Sequence, residues 1–372
     1  MEPVIKSLVS IVVPTYKEAE NLPHLIAAVS AAMRNAGLSY EIVVIDDDSQ
    51  DGSEECVKAL QDHHPVRLIT RHSQRGLSSA VLDGFRRARG EFLVCMDGDL
   101  SHPADRIPAL IAKLREPQVD FVIGSRHVDG GSIPKDWGRV RRLNSWVATR
   151  LARPLTSVKD PMAGFFALRR DTLDKAGVSL SPIGYKIGLE LLVKCRCTTV
   201  REVPIDFVDR KYGESKLGLR EQINYLRHLK RLLDFKYGRW SRLLQFCFVG
   251  ATGVVVDLVA FNLLLLVVSL TVARALAVGV AMTSNFWCNR RLTFSYSRGS
   301  DWIRSFIRFV FSCSLGAFVN WGVSVKLITA TSGFRDHVTT AAVIGILCGA
   351  VFNFILSSEW VFSRQSRPVH SR

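Results

Sequence analysis

Asp97 and Asp99 are the residues whose type and spacing most directly suggest chemistry. They flank Gly98 straight after an apolar run, Phe92-Leu93-Val94-Cys95-Met96, that reads as a buried strand. Two carboxylates one residue apart at a strand end can share one divalent cation. A nucleoside diphosphate needs such a cation, because its own charge otherwise repels carboxylates. Acidic turns are common; the position between a buried strand and Leu100-Ser101-His102-Pro103 sets this one apart. A second acidic cluster, Asp46-Asp47-Asp48, closes the apolar run Glu41–Ile45. Asp46 there either accepts hydrogen bonds from a nucleobase or ribose, or serves as a turn or capping acid, as Asp51 before Gly52 does. Other chemistries find no support. No Gly-x-Gly-x-x-Gly follows the first strand, and no phosphate-binding Gly-x-x-x-x-Gly-Lys-Ser/Thr occurs. The eight cysteines form no Cys-x-x-Cys pair, and Cys195-x-Cys197 lacks further ligands at zinc-like spacing, so reduced, buried thiols are expected.

The elements that must hold these acids alternate. Strand signals at Val9–Val13, Glu41–Ile45, Val66–Thr70, Glu91–Met96 and Phe121–Gly124 are separated by helical periodicity over Ala19–Ala36, Ser53–Asp62, Gly76–Arg89 and Pro103–Arg115. Alternation of this kind predicts a mostly parallel α/β sheet with right-handed crossovers, which binds ligands at the carboxyl ends of its strands. Both acidic clusters lie at such ends.

Charge divides the 372 residues in two. Net charge is +15, but residues 1–240 hold 37 Lys+Arg and 30 Asp+Glu, whereas residues 241–372 hold 12 and 4. The charge-poor part contains apolar stretches at about 243–270, 272–294, 303–331 and 338–362, each long enough to cross roughly 30 Å of hydrocarbon. The expectation is a domain over 1–236 and a transmembrane domain of four helices over 237–372. Arginines and lysines crowd the segment before the first span, the loop between the second and third, and the stretch after the fourth. The positive-inside rule therefore predicts a multi-pass cell-membrane protein with both termini in the cytoplasm. Ser10–Val13 is too short for a signal peptide, which puts the first domain on the same side. The tail also repeats itself. Phe246, Gly253 and Asp257 match Phe309, Gly316 and Asn320 in spacing, and Asn285-Phe286…Phe294 matches Asn353-Phe354…Phe362. Two helical hairpins of one orientation would account for this. Asn285, Asn289, Arg290, Asn353 and Glu359 either cap and snorkel there or line a headgroup site. Segments at about 137–155 and 219–235 mix arginine and lysine with Trp146, Val147, Leu151, Leu226, Leu229, Leu232 and Leu233, the pattern of amphipathic helices that dock on a membrane surface.

Longer motifs carry a resemblance. Val13-Pro14-Thr15-Tyr16-Lys17-Glu18, Val43–Gly52, Arg75-Gly76-Leu77-Ser78, Met96–Pro103, Gly124-Ser125-Arg126, Trp137 with Arg141, Arg142 and Ser145, and Asp160–Phe165 resemble family 2 glycosyltransferases. Gly184-Tyr185-Lys186, Glu202-Val203-Pro204-Ile205 and Asp209–Leu217 look like the dolichol/polyprenol-phosphate mannosyltransferase subgroup. Residues 242–365 are similar to GtrA-like four-span membrane domains. Two positions depart from the pattern: Asp48 stands where Gly is usual, and Met162-Ala163 replace Thr-Ser in Asp-Pro-Thr-Ser-Gly-Phe.

The resemblance implies a nucleotide-diphospho-sugar transferase fold (GT-A-like). It also implies metal-dependent, inverting transfer of mannose from GDP-mannose to a polyprenyl (dolichyl or undecaprenyl) monophosphate. Pro14, Tyr16, Glu18, Val44 and Asp46 would form the base pocket, and Arg210 and Lys216 would close over the donor diphosphate. Asp97 and Asp99, with Gly98 between them, would meet the diphosphate and hold Mg2+ or Mn2+, with Ser101 where a third ligand is expected. Arg126, Arg141 and Ser145 would hold the acceptor phosphate; Lys186 and Glu190 stay outside this site. The same reaction with UDP-glucose or another nucleotide sugar is the nearest alternative, and a lipid-linked sugar flippase with a regulatory soluble domain is the alternative from another class. The expected partners are a nucleotide sugar, a polyprenyl monophosphate and membrane lipids, with homo-oligomerisation left open. Nucleic acid is not expected, because the basic residues cluster beside spans and in the acceptor segment.

Overall fold

Short β-branched runs bounded by turn residues become the strands of the first of two compact units, Met1–Lys236 and Tyr237–Arg372. The computed structural model describes residues 5–134, 137–176, 180–181, 183–208, 218–297, 300–330, 334 and 337–362. In the first unit the strands are β1 (Ile5–Thr15), β2 (Tyr40–Asp46), β3 (Val66–Thr70), β4 (Gly90–Cys95), β5 (Phe121–Ser125), β6 (Phe166–Arg169) and β7 (Val200–Pro204). They form one sheet in the order β3-β2-β1-β4-β6-β5-β7. β6 runs antiparallel to both of its neighbours; every other pairing is parallel, so the sheet is mostly parallel. Neither β6 nor β7 is among the strands expected from the sequence. Phe-Ala-Leu-Arg is too short to show a period, and Val200–Pro204 ends in a proline.

Side chains on successive strand residues point to opposite faces, which gives the sheet two cores. Val9, Ile11, Val13, Ile42 and Val44 bury against α1 (Leu22–Asn35) and, further along the sheet, α4 (Ile107–Leu114). Val12, Val43 and Ile45 bury on the other face against α3 (Leu77–Arg87), with α7 (Ile187–Lys194) on the same side. Gly84 lets α3 approach closely, since a Cβ there would meet Val12 and lie 3.0 Å from Ile45. This packing sets the carboxyl ends of β1, β2 and β4 side by side, with Thr15 in register with Asp46 and Val12 with Cys95. The loops leaving those ends carry non-glycine residues in the left-handed region: Lys17 (φ 63°), Asp48 (φ 56°), Gln50 (φ 52°) and Leu100 (φ 62°). At Asp48, the position that departs from the family pattern, the backbone does require positive φ, and a short acidic side chain is among the better non-glycine choices.

The second unit contains α9 (Arg239–Leu264), α10 (Leu270–Cys288), α11 (Trp302–Ala330) and α12 (Val338–Leu356). Among the described residues, three segments are long and apolar enough to cross a membrane: Arg239–Leu264, Trp302–Ala330 and Thr339–Val361. Of the four expected spans, the second is not among them. α10 has 19 residues and carries Arg274, Thr283, Ser284 and Asn285 within them. The repeat in the sequence is a repeat in space. α10 and α12 each run into a π-helical turn, Asn289–Thr293 and Ser357–Val361, and the Phe294 and Phe362 rings beyond them stack with centroids 4.7 Å apart. In each hairpin a glycine of the first helix receives the asparagine of the second: a Cβ on Gly253 would overlap the Asn285 amide, and one on Gly316 the Asn353 amide. Asn289 accepts from Thr293 Oγ1 (2.9 Å), Arg290 donates to the Ser300 carbonyl (2.6 Å) and Glu359 lies 3.6 Å from Arg239. The two asparagine–glycine contacts therefore lock the hairpins. Gly316→Ala is expected to cost about 1–3 kcal/mol and lower the thermal unfolding midpoint in detergent. Gly322→Ala, on the same helix with open space beside it, should leave the midpoint unchanged or raise it. Equal midpoints for the two variants would refute the lock.

Candidate active site

The turn after β4 is built around a histidine. The Asp97 backbone N–H donates to His102 Nδ1 at 2.9 Å, which leaves the ring proton on Nε2, 3.9 Å from Asp97 Oδ2. Burial pushes the His102 pKa below the ordinary imidazole range despite nearby Asp97 and Asp99, so the ring is neutral at pH 7. It stacks on Phe165 and meets Phe207 edge-on. Asp99 is buried and accepts from the Ser101 N–H (3.1 Å) and hydroxyl (2.5 Å). Gly164 leaves room beside Asp97, since a Cβ there would lie 3.3 Å from its Oδ2. The donors gathered here are hard oxygens, the set that suits Mg2+ or Mn2+ in company with phosphate oxygens.

Facing these acids is a stack of cations. Arg126, just after β5, donates to Asp160 from Nε (2.7 Å) and Nη2 (2.8 Å), and its backbone N–H donates to the same carboxylate (3.1 Å). Both groups are buried. Burial alone would raise the Asp160 pKa, but the hydrogen bonds and charge of Arg126 hold it below the usual carboxylate value. The loop bearing Asp160 is itself pinned, since Glu202 on β7 accepts from the N–H groups of Lys159 and Asp160. The Arg126 guanidinium lies 5.8 Å from the centre of the Trp137 ring, and the Arg141 guanidinium stacks on that ring at 4.0 Å. Arg141 and Ser145 belong to α5 (Arg139–Ala152).

The remaining wall comes from residues 183–187 and from α8 (Leu219–Tyr237). Ser78 Oγ donates to the Gly184 carbonyl (2.6 Å), and Lys186 Nζ donates to the Met162 carbonyl (3.2 Å). Desolvation, then Arg126, lower the Lys186 pKa; Asp160 and Asp97 oppose them. α8 is tied on by Tyr225, which donates to the Ala148 carbonyl of α5 (2.7 Å), and by a buried polar cluster. In that cluster Glu190 of α7 meets His228 Nε2 at 2.6 Å and Lys194 Nζ at 2.7 Å, and accepts from the Ser181 N–H at 2.9 Å. Burial would raise the Glu190 pKa, but these partners pull it down to about 2. The three walls enclose one cleft of about 1100 Å3.

Comparison with known proteins agrees with this architecture. The profile of glycosyl transferase family 2 matches residues 10–177, and that of the GtrA/DPMS transmembrane domain matches residues 245–362. The dolichol-phosphate mannosyltransferase of Pyrococcus furiosus is 40% identical over 357 residues, covering 94% of this chain and 97% of that protein. The chain belongs to the dolichol-phosphate mannosyltransferase family. The enzymes of that name from Mycosarcoma maydis (44% identical over 236 residues) and Saccharomyces cerevisiae (43% over 237) each match 62% of this chain, and 80% and 88% of their own lengths. The chain is thus a family 2 glycosyltransferase joined to a membrane domain, and nucleotide-sugar donors and polyprenyl-phosphate acceptors are the substrates this family implies.

Within this mannosyltransferase-family chain, Pro14, Tyr16, Glu18, Asp97, Gly98, Asp99, Ser101, Arg126, Arg141 and Ser145 all line the cleft. Val44 and Asp46 do not. Val44 is fully buried in the core, and Asp46 turns inward to the Ser49 N–H (2.8 Å) and the hydroxyls of Ser49 and Thr15. Its neighbour Asp47 reaches the wall instead, accepting from Arg71 Nε (2.7 Å) and from the Gly76 N–H (2.7 Å). The Ser101 hydroxyl is directed to Asp99, which bears on its expected part as a third metal ligand. Arg210 and Lys216 lie outside the described residues. Lys186, left out of the site on sequence grounds, lines the cleft; its Gly-Tyr-Lys motif was the available signal.

Because the Glu190 pKa is lowered on folding, its stabilising effect is complete above the ordinary carboxylate value of 4.5 and fades as pH falls toward about 2. Glu190→Gln is expected to cost roughly 3 kcal/mol at pH 7. The gap in thermal midpoint between wild type and variant should narrow as pH falls from 4.5 to 3. A gap that stays constant over that range would sink the assignment.

Proposed function

We propose that this enzyme transfers mannose from GDP-mannose to the phosphate of a polyprenyl monophosphate, with inversion at the anomeric carbon. The observation that carries the reading is one cleft with the Asp97–Asp99 pair on one wall and the Arg126–Trp137–Arg141 stack on another. The shared name of the three relatives supports mannose as the sugar and a dolichyl-type lipid as the acceptor.

The chemistry needs alignment and charge control more than proton transfer. The acceptor phosphate is already anionic near neutral pH. One of its oxygens attacks the anomeric carbon from the face opposite the nucleotide, forming the new C–O bond. The bond to the donor diphosphate breaks, and its electron pair leaves with that diphosphate. Asp97 and Asp99 fit Mg2+ or Mn2+, and such an ion, when bound, neutralises the diphosphate. Arg141 and Ser145 hold the acceptor phosphate. Arg126, anchored by Asp160, adds positive charge in a fixed place, so none of these groups reorganises as charge moves. Pro14, Tyr16 and Glu18 line the base end of the cleft. Val140, Leu143 and Trp146 are exposed on α5, the surface expected of a helix lying on a membrane, and α8 beside it exposes Leu226 and Phe235. The enzyme is read as a multi-pass cell-membrane protein with both termini cytoplasmic.

The test is transfer of radiolabelled sugar by the full chain in detergent with Mg2+ or Mn2+ and a polyprenyl phosphate. GDP-mannose should be used in preference to UDP-glucose, and Asp99→Ala should lose about 100-fold or more in kcat. Arg141→Gln should raise the KM for the acceptor more than that for the donor. Preference for UDP-glucose would overturn the choice of sugar, and full activity of Asp99→Ala would overturn the metal site.

A further inference from the structure

The second unit has a groove of its own, of about 580 Å3, beside the start of α11. Its walls are Ile303, Arg304, Ile307, Arg308 and Phe311 of α11, with Trp360 from the π-helical turn after α12. Asp301 closes the end, its Oδ1 accepting from the Ile303 N–H at 3.0 Å as a cap for the first turn. Arg308 is held in place: Nη1 donates to the Trp360 carbonyl (3.3 Å) and the guanidinium lies 5.4 Å over the indole. Arg304 is exposed one turn earlier on the same helix. Ile303, Ile307 and Phe311 are each more than half exposed.

The internal repeat shows that the fold does not require these cations. The equivalence of Phe246 with Phe309 and of Gly253 with Gly316 sets Leu244, Gln245 and Phe248 opposite Ile307, Arg308 and Phe311. It sets Ser241 opposite Arg304, and the equivalence of Asn285 with Asn353 sets Leu292 opposite Trp360. The first hairpin thus keeps the apolar positions but has a Gln245–Ser241 hydrogen bond (3.0 Å) where the second has two arginines. One hairpin packs without the charges; the other carries them along a groove.

We propose that this groove binds an anionic glycerophospholipid, its phosphate between Arg304 and Arg308 and an acyl chain along Ile303, Ile307 and Phe311. The charge complements a phosphate. The apolar wall runs on from Arg304 for about 10 Å of helix rise to Phe311, on a helix long and apolar enough to cross a membrane. A soluble anion would leave that wall uncovered, whereas a lipid covers wall and cations together. Basic pockets between membrane helices hold lipid headgroups in this manner.

The test places the full chain in phosphatidylcholine nanodiscs containing increasing brominated phosphatidylglycerol. Quenching at the groove is read as the difference between wild type and Trp360→Phe. Half-maximal quenching should need about tenfold more phosphatidylglycerol in Arg304→Gln/Arg308→Gln than in wild type. Brominated phosphatidylcholine should give no comparable quenching, and inorganic phosphate should not relieve it. Arg291→Gln, a belt arginine outside the groove, should match wild type. Native mass spectrometry of the same variants, counting retained phosphatidylglycerol, gives a second readout, with the double variant expected to retain less. The proposal falls if the double variant behaves like wild type in both assays, if Arg291→Gln is weakened equally, if both lipids quench alike, or if inorganic phosphate displaces the lipid.

Discussion

The cleft is organised around one buried fork: the carboxylate of Asp160 accepts twice from the guanidinium of Arg126 and once from its backbone N–H. Neither charge is stable there alone, since burying an unpaired ion costs several kcal/mol, so each fixes the other. Their mutual geometry dictates the rest of that wall. Glu202 holds the backbone under Asp160, Arg126 lies against Trp137, and Trp137 provides the face on which Arg141 stacks. The fork links a residue just after β5 with the segment that leads into β6, so the antiparallel strand in a mostly parallel sheet brings Asp160 to the carboxyl ends of the strands. A positive wall of this kind is a property of the tertiary fold, with no counterpart in any short segment of sequence.

That explains which parts were legible beforehand. Asp97 and Asp99 could be read because their strand, turn and acids are contiguous. The choice among Asp46, Asp47 and Asp48 was not open to local reasoning. The period of two puts Asp46 on the face of Ile42 and Val44 and Asp47 on that of Val43 and Ile45, but both faces are buried, so it does not say which acid meets the cleft. The family motif named Asp46, and the tertiary structure turns Asp47 to the cleft instead. Lys186 and Asp160 could not be placed, since their proximity to Arg126 depends on chain segments dozens of residues apart. β6 and β7 escaped notice because Phe-Ala-Leu-Arg lacks a continuous β-branched run and Val200–Pro204 is interrupted by Arg201 and Glu202 and ends in a proline. The alternation that predicted the parallel half of the sheet ends at β5, where the connections stop being strand–helix–strand.

The membrane unit shows a different economy. Its two hairpins share a glycine-on-asparagine contact and a closing phenylalanine, so the sequence repeat could be read in advance as a structural one. Of the polar residues that sequence alone left divided between capping and ligand binding, Asn285 and Asn353 pack against glycines. The cations that break the repeat stand on the outer surface of the second hairpin. Duplication followed by local divergence separates what the architecture requires from what it merely carries.

The turn that bears Asp97 carries one further implication. Its amide N–H points at His102 Nδ1, so a proton on that nitrogen would set two donors against each other and break the turn. Burial against Phe165 already disfavours that proton. A phosphate monoester, by contrast, takes up its second proton at about pH 6. The lipid phosphate that this family implies therefore titrates in mildly acidic solution, and the hydrogen bond from the Asp97 amide favours the neutral ring within the turn.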